Sequence, residues 1–357
     1  METPVDAQVD AQVDGQGRAG RTGRTGAPTI RQVAALAGVS RATASRVING
    51  GHLVSPEARL AVEAAIAELH FVPNPVARSL ATRRTGSVAL VLPEPNRRLL
   101  SDPFFAGIVD GLSMSLEVED LQMVLLVARD AASARKAAHY VTTGHVDGAV
   151  VASHHRDDGL NTALVESGLP TVFIGRPLDV TGVHYVDTDN TRGAQLATEH
   201  LIGRGSRRIG TIAGPGDMTA GLDRLGGWRD AMTRAGLPDD AVEYGDFTAR
   251  SGAEAMERLL DRVPDLDAVF VANDLMASGA LLQISARGLS VPGDVAVFGF
   301  DDIGVAESTA PPLSTVVQPL TDMAARSGTM LAALLRGEAV PDEPVLFSPR
   351  LQLRESA

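Results

Sequence analysis

Thr29-Ile-Arg-Gln-Val-Ala-Ala-Leu-Ala-Gly-Val-Ser-Arg-Ala-Thr-Ala-Ser-Arg-Val-Ile-Asn49 decides how the chain begins to fold. Thr29 has the side chain of a helix N-cap, and Ile30, Val33, Ala34 and Ala37 recur at helical spacing, which predicts a helix to Ala37. Gly38 breaks that helix, Val39 fills the turn, and Ser40 caps a second helix from Arg41 to Ile48 with Ala44, Val47 and Ile48 inside. Asn49-Gly50-Gly51 ends it. Ser55-Pro56 opens a third helix, since proline is tolerated at the first helical position, with a stripe expected at Leu60, Ala64, Ala67 and Leu69. Three short helices with a tight glycine turn between the first two make a helix-turn-helix unit.

Outward from this unit the texture changes on both sides. Residues 1–26 repeat Val-Asp-Ala-Gln and then Gly-Arg-Thr, with little to bury, and 1–27 is expected to be a disordered tail. On the other side, Pro73-Asn74-Pro75 stops and restarts the chain, and Pro75–Thr82 predicts a helix too short to be stable alone in water. From Ser87 the pattern is strand then helix in two series. Strands are expected at 87–92, 121–127, 147–152 and 170–174, then at 208–213, 241–244, 267–271 and 295–300. Near-continuous Val/Ile/Leu strands between helices indicate parallel sheets covered on both faces. Two series predict two doubly wound lobes with a ligand cleft at the carboxyl ends of their strands. A strand at 313–317, a helix at 320–336 and a strand near 345–352 are expected to cross back between the lobes. The boundaries are 1–27 for the tail, 28–73 for the helix-turn-helix domain, 74–85 for a hinge helix and linker, and 86–357 for the two-lobed body.

Charge follows the same division. The net charge is −12, yet residues 27–85 hold seven arginines against three glutamates, +4, while everything after 85 carries −15. A basic module on an acidic body fits a DNA-binding head whose body repels phosphate. No apolar run reaches the roughly 18 residues of a membrane span, and the N-terminus has no signal-peptide pattern, so a cytoplasmic protein is expected. Cysteine is absent, which removes disulfides and thiolate metal sites.

The helix-turn-helix stretch, Val54-Ser55-Pro56, Phe71-Val72-Pro73-Asn74 and Ala77-Arg78-Ser79-Leu80 resemble, in order and spacing, the lactose-repressor (LacI) family of transcriptional regulators. Ser101-Asp102-Pro103-Phe104-Phe105, Asp223-Arg224-Leu225 through Trp228, Val271-Ala272-Asn273-Asp274 and Phe298-Gly299-Phe300-Asp301-Asp302 continue the resemblance over about 28–353. It implies an N-terminal all-α helix-turn-helix head joined to an α/β, two-lobed, periplasmic-binding-protein-like body. The implied function is sequence-specific regulation of transcription, as a repressor of carbohydrate uptake and catabolism genes released from a palindromic operator by a small sugar. Implied partners are double-stranded operator DNA, a mono- or disaccharide effector and a second copy of the chain. The absence of a C-terminal leucine-heptad helix after the last strand leads to the expectation of a homodimer rather than a tetramer.

The second helix should enter the major groove with its N-terminal residues at base edges. Arg41 can pair bidentately with guanine O6 and N7, and Ala42 offers a methyl. Arg46, one turn later, matches a position of the family that reaches bases or phosphates. By the resemblance, Ser40, Thr43, Ser45, Asn49 and Ser55 contact phosphates, which set register without reading sequence, and Thr29 does so secondarily to its capping. Asn74, Ala77, Arg78 and Leu80 belong to the family's hinge helix, which forms on the operator. Leu80 is the wedge that opens a central base step from the minor groove.

For the effector, the resemblance points to Arg224, Asp301 and Asn273, which suit hydroxyl-rich ligands by planar, bidentate hydrogen bonding. Phe104, Phe105 and Phe247 are candidate stacking faces, and Ser153, Arg176 and Glu94 follow strands at the cleft. Phe105 reads equally as core, Asn273-Asp274 as a helix start, and Asp302 as a cap. Some family members carry an acidic ligand contact at the position of Gly175, and its absence here argues against a galactoside.

Other classes fare worse. His154-His155 point apart on a strand or loop, with no carboxylate at ligand spacing, so no metal is expected. Gly214-Pro215-Gly216 lacks the third glycine of a dinucleotide loop, and no P-loop or Gly-x-Ser-x-Gly elbow occurs, so neither a cofactor nor an enzyme is expected. A transport-type sugar-binding protein would share the body but has no use for the basic head. Within regulators, a purine or other metabolite as effector, or activation instead of repression, stays open.

Overall fold

The computed structural model describes residues 28–48, 53–72, 84–156, 159–178 and 180–357. The chain divides into two compact units, one up to residue 81 and one from 82 to 357.

In the first unit, α1 (Ile30–Leu36), α2 (Arg41–Ile48) and α3 (Pro56–Leu69) enclose Val33, Ala34, Ala44, Val47, Val62 and Ala65. Six small side chains make a thin core, so the caps matter. Thr29 N–H donates to Gln32 Oε1 at 2.8 Å, Ser40 Oγ accepts from Thr43 N–H at 3.0 Å, and Ser55 Oγ accepts from Ala58 N–H at 3.3 Å. Gly38, at φ +65°, supplies the left-handed turn between α1 and α2. The expected stripe of α3 needs correction. Val62 and Ala65 are buried, with Ile66 and Leu69 beside them, while Leu60 is 67% exposed and Ala64 and Ala67 face outward. An alanine-rich helix is apolar nearly all round, so spacing alone does not choose its inner face; packing against α1 and α2 does.

The second unit begins with β1 (Ser87–Leu92), α4 (Asn96–Ser101), α5 (Pro103–Val118), β2 (Gln122–Val127), α6 (Ala131–Tyr140), β3 (Gly148–Ala152), α7 (Leu160–Glu166), β4 (Thr171–Ile174) and β5 (His184–Thr188). Next come α8 (Asn190–Gly203), β6 (Ile209–Ala213), α9 (Thr219–Ala235), β7 (Val242–Tyr244), α10 (Ala249–Arg262), β8 (Ala268–Val271), α11 (Asp274–Ala286), β9 (Ala296–Asp301), α12 (Val305–Ser308) and β10 (Ser314–Val317). The chain closes with α13 (Leu320–Arg336), β11 (Val345–Phe347) and β12 (Arg350–Gln352). One sheet has the order β11-β5-β4-β3-β1-β2, all parallel; the other is β12-β10-β9-β8-β6-β7, parallel except for antiparallel β12.

Both faces of each sheet are covered, which explains the unbroken apolar strands. Val88, Leu90 and Leu92 pack with α5 and α13, whereas Ala89 and Val91 pack with α6 and α7. In the second lobe, Phe270, Phe298 and Phe300 meet α8 and α9, and Val269, Val271 and Val297 meet α10 and α11. The chain passes between lobes three times: after β5, after β10, and between β11 and β12. The single strand expected near 345–352 is thus two strands in two sheets, and β5 is a strand that the apolar pattern missed, because His184, Tyr185, Asp187 and Thr188 make it polar. Helix α13 returns to the first lobe so closely that a Cβ on Gly111 of α5 would lie 2.1 Å from Thr321 O.

Candidate functional site

In the first unit, α2 turns Ala44 and Val47 inward and leaves Arg41, Ala42 and Arg46 exposed, with Thr43 and Ser45 half-buried at the edge of that face. Thr29, Ser40 and Ser55, at the starts of the three helices, are exposed too. Ser40 and Thr43 share a hydroxyl–hydroxyl hydrogen bond of 2.9 Å. A face with two guanidinium groups beside helix N-termini and hydroxyls matches the needs of phosphate and base-edge recognition. Asn49, Asn74, Ala77, Arg78 and Leu80 lie outside the described residues, as do the tail and the hinge helix.

In the second unit, the carboxyl ends of strands from both sheets converge on a cleft of about 650 Å³, part of it open to solvent. Phe104, Ser153 and Arg176 line it from the first lobe, and Arg224, Phe247, Asn273 and Asp301 from the second. Phe105 does not. It is 1% exposed, in the core with Ile108 and Leu112, because consecutive residues of α5 turn about 100° apart. Phe104 takes the wall position and meets Phe105 edge-on, 5.3 Å between centroids. Glu94 lies outside the cleft, buried under Ser153 Oγ at 2.6 Å. Asp302 pairs with Arg354 at 2.8 Å instead of capping the next helix.

Arg224 organises the floor. Its Nε donates to Asn190 Oδ1 at 2.8 Å, Nη1 to Ala272 O at 2.6 Å and Nη2 to Gln318 Oε1 at 2.8 Å, with its guanidinium 3.7 Å over the Phe300 ring. Asn190 and Gln318 stand at two of the three passages between lobes, so Arg224 ties the hinge to the end of β8. Asp301 Oδ1 lies 3.1 Å from Nη1, within ion-pair distance, without the geometry of a hydrogen bond. Burial raises the Asp301 pKa to about 7, with Arg224 opposing. Its φ of +110° is strained for a side-chain-bearing residue, which is common where a fold aims a functional group.

Asp187 is likewise pushed up to about 6 by burial, although the N–H groups of Arg176 and Thr188 oppose the shift. Asp102, which caps α5 through Phe104 N–H, is raised by burial as well. Asn273 accepts from Met276 N–H at 2.9 Å and donates to Phe247 O at 3.2 Å, so it starts α11 as well as lining the cleft. Arg176 reaches across to Asp223 of α9 at 2.9 Å. Gly175, at φ +89°, leaves its place to the His154 ring, whose Nε2 donates to Gly175 O at 3.1 Å.

Arg98, Asp102, His154, Asp187, Asn190, Met218, Thr219, Gln318 and Met323 also line the cleft and escaped the sequence reading. The polar strand end Asp187-Thr188-Asp189-Asn190 was a usable signal, since a carboxylate and an amide end a buried strand there. For Arg98, in the six-residue helix α4, and Gln318, on the connection after β10, no local signal exists.

The described residues contain no helix long and apolar enough to cross a membrane. Residues 29–74 match the bacterial regulatory proteins of the lacI family, and 198–357 match a periplasmic binding protein-like domain. The chain is 49% identical over 333 residues to the HTH-type transcriptional regulator CelR of Thermobifida fusca, covering 92% of this chain and 98% of CelR. It is 34% identical to the regulator GalR of Escherichia coli K12, over 92% of this chain and 95% of GalR. The solved CelR–cellobiose complex superposes with a TM-score of 0.75 at 47% identity, covering 92% of this chain and all of that one. The lac repressor dimer bound to operator and the anti-inducer ONPF superposes at 0.79 with 28% identity, covering 92% and 98%. These relatives are regulators, not enzymes. With its helix-turn-helix head, its two-lobed body and this similarity along nearly its whole length, the chain belongs to the LacI family of bacterial regulatory proteins and is a DNA-binding transcriptional regulator.

Proposed function

We infer that this protein is a homodimeric repressor of carbohydrate-uptake and catabolism genes, acting on the nucleoid in the bacterial cytoplasm and released from a palindromic operator by a small sugar. A β-linked glucose disaccharide of the cellobiose type is the effector class, by similarity to CelR and its cellobiose complex. The observation that carries the sugar reading is Asp301 Oδ1, a buried acceptor without a hydrogen bond on the cleft wall. A ligand hydroxyl supplies the donor it lacks. Around it, Arg224, Asn273, Gln318, Ser153 and Arg176 offer planar or hydroxyl partners, and Phe104 and Phe247 offer ring faces from opposite lobes.

Arg41 and Ala42 read the operator half-site, and Arg46 reaches a base or phosphate. Thr29, Ser40, Thr43, Ser45, Asn49 and Ser55 hold the backbone. Asn74, Ala77, Arg78 and Leu80 form the hinge, with Leu80 as the minor-groove wedge. Closure of the lobes around the sugar shifts the two hinges of the dimer relative to each other. A coupling of about 1–3 kcal/mol, roughly 5- to 150-fold in operator affinity, is enough.

Capture of fragmented genomic DNA by the purified protein, with and without a panel of sugars and nucleobases, tests the proposal. Enrichment of a palindrome beside sugar-transport or glycosidase genes, lost with cellobiose, is the expected result. Enrichment that no sugar disturbs refutes the sugar, and no enrichment refutes the operator reading.

A further inference from the structure

At the rim of the cleft, one side chain touches acids of both lobes. His155, after β3, places Nε2 3.2 Å from Glu94 Oε1 in its own lobe and Nδ1 2.8 Å from Asp217 Oδ2 in the other. Next to it, Arg156 N–H donates to Asp217 O at 2.8 Å. Glu94 is buried and anchored in the first lobe by Ser153 Oγ and the Arg98 guanidinium. Asp217, on the loop between β6 and α9, has a side chain 51% exposed and is the half of the contact for which water is an alternative partner.

An imidazole with a carboxylate at each nitrogen is fully satisfied only as imidazolium, when both nitrogens are donors. In the neutral ring one nitrogen turns a lone pair toward a carboxylate. Since Glu94 has other donors and cannot withdraw, the link to Asp217 is the one that gives way. The geometry points to His155 as a proton-operated clasp of the cleft: charged, it ties the two lobes at the rim and holds the sugar in; neutral, it lets them part. The inference rests on the cleft being a sugar site that closes.

The surrounding charges agree with this role. Hydrogen bonding to Glu94 raises the His155 pKa most, burial opposes, and Asp217 adds to the rise. Arg98 pairs with Glu94, while Arg129 and Asp130 before α6, and Asp246 and Arg250 around the start of α10, line together with His155 a groove beside the cleft. A basic group whose pKa is raised on closure stabilises the closed state fully below its ordinary value of 6.5, and that stabilisation is lost as pH rises through the raised value.

Cellobiose affinity of the full-length protein, measured by calorimetry at about pH 6 and about pH 8.5 on wild type, His155→Gln and Asp217→Asn, tests the clasp. Asp187 and Asp301 titrate in the same cleft, so the reading is the difference between proteins. Wild type should lose about two- to fivefold more affinity across the interval than either variant, the span of a half-exposed ion pair. Equal losses overturn the clasp. Independently of any sugar, the Cε1–H resonance of His155, identified by its disappearance in His155→Gln, should titrate above the ordinary value and fall in Asp217→Asn. An ordinary titration that Asp217→Asn does not move overturns the clasp. A displaced titration with no cellobiose binding supports the clasp and refutes the sugar reading alone.

Discussion

Replacing Arg224 by methionine keeps much of the volume and removes the charge and three hydrogen bonds. Asn190 Oδ1, Ala272 O and Gln318 Oε1 lose a donor each, and Asp301 loses the guanidinium at ion-pair distance while remaining 4% exposed. Removing one partner of a buried, hydrogen-bonded pair costs about 3–5 kcal/mol. For a domain of this size, each kcal/mol lowers the melting temperature by roughly 2–4 °C, so a drop of about 6–20 °C is expected. Protonation of Asp301 limits the loss. In wild type this carboxyl titrates at about 7; without Arg224 its pKa rises further, so the variant must hold a proton that the unfolded chain releases. The deficit should therefore be larger at about pH 8 than at about pH 6. Arg224→Lys should fare nearly as badly, because an ammonium cannot bridge Asn190, Ala272 and Gln318 in one plane. Thermal unfolding at fixed protein concentration, followed by the emission of the single tryptophan, Trp228, one turn along α9 and fully buried, is the assay. A fall of less than about 2 °C at both pH values, or full recovery by lysine, would refute the view of Arg224 as the tie between hinge and sheet.

Two adjacent glycines of α9 should respond with opposite signs. A Cβ on Gly227 would lie 2.2 Å from Thr191 O of α8, whereas one on Gly226 meets nothing within 4 Å. In urea unfolding, Gly227→Ala should lose about 1–3 kcal/mol or more, and Gly226→Ala should gain about 0.5–1 kcal/mol; like responses would contradict the close approach of α8 and α9. Selection of DNA by Arg41→Ala should relax one symmetric pair of operator positions by about 1–3 kcal/mol each, and a uniform loss would make Arg41 a phosphate contact. Asp187 and Asp301, raised to about 6 and about 7, take up protons on folding. Their contribution is fully present below the ordinary carboxylate range and lost as pH rises through 6 and 7, so the melting temperature of wild type should fall from about pH 5 to about pH 8 and fall less in Asp187→Asn; identical profiles would count against a buried, protonated Asp187.

Local chemistry made much of this protein legible before any tertiary contact. Gly38 with φ above zero, the caps Thr29, Ser40 and Ser55, and an inner face of Ala44 and Val47 opposite Arg41 and Arg46 are properties of a few adjacent residues, and the helix-turn-helix follows from them. The doubly wound lobes are legible for a similar reason, since strands such as Val88–Leu92 are apolar at every position only when both sheet faces are covered. Tertiary packing decided what spacing leaves degenerate. It chose Val62 and Ala65 over Leu60 on an alanine-rich helix, Phe104 over Phe105 for the cleft wall, and two sheets over one for residues 345–352. It also assembled the cleft itself. Arg98 of the short α4, Asp187 near the end of β5, Asn190 at the start of α8, Gln318 and the rim pair His155–Asp217 come from parts far apart in the chain, and short elements, element ends and connections have too little periodicity to announce where their side chains point. The elements were set by interactions within a few residues, while the site was set by where separate strand ends meet.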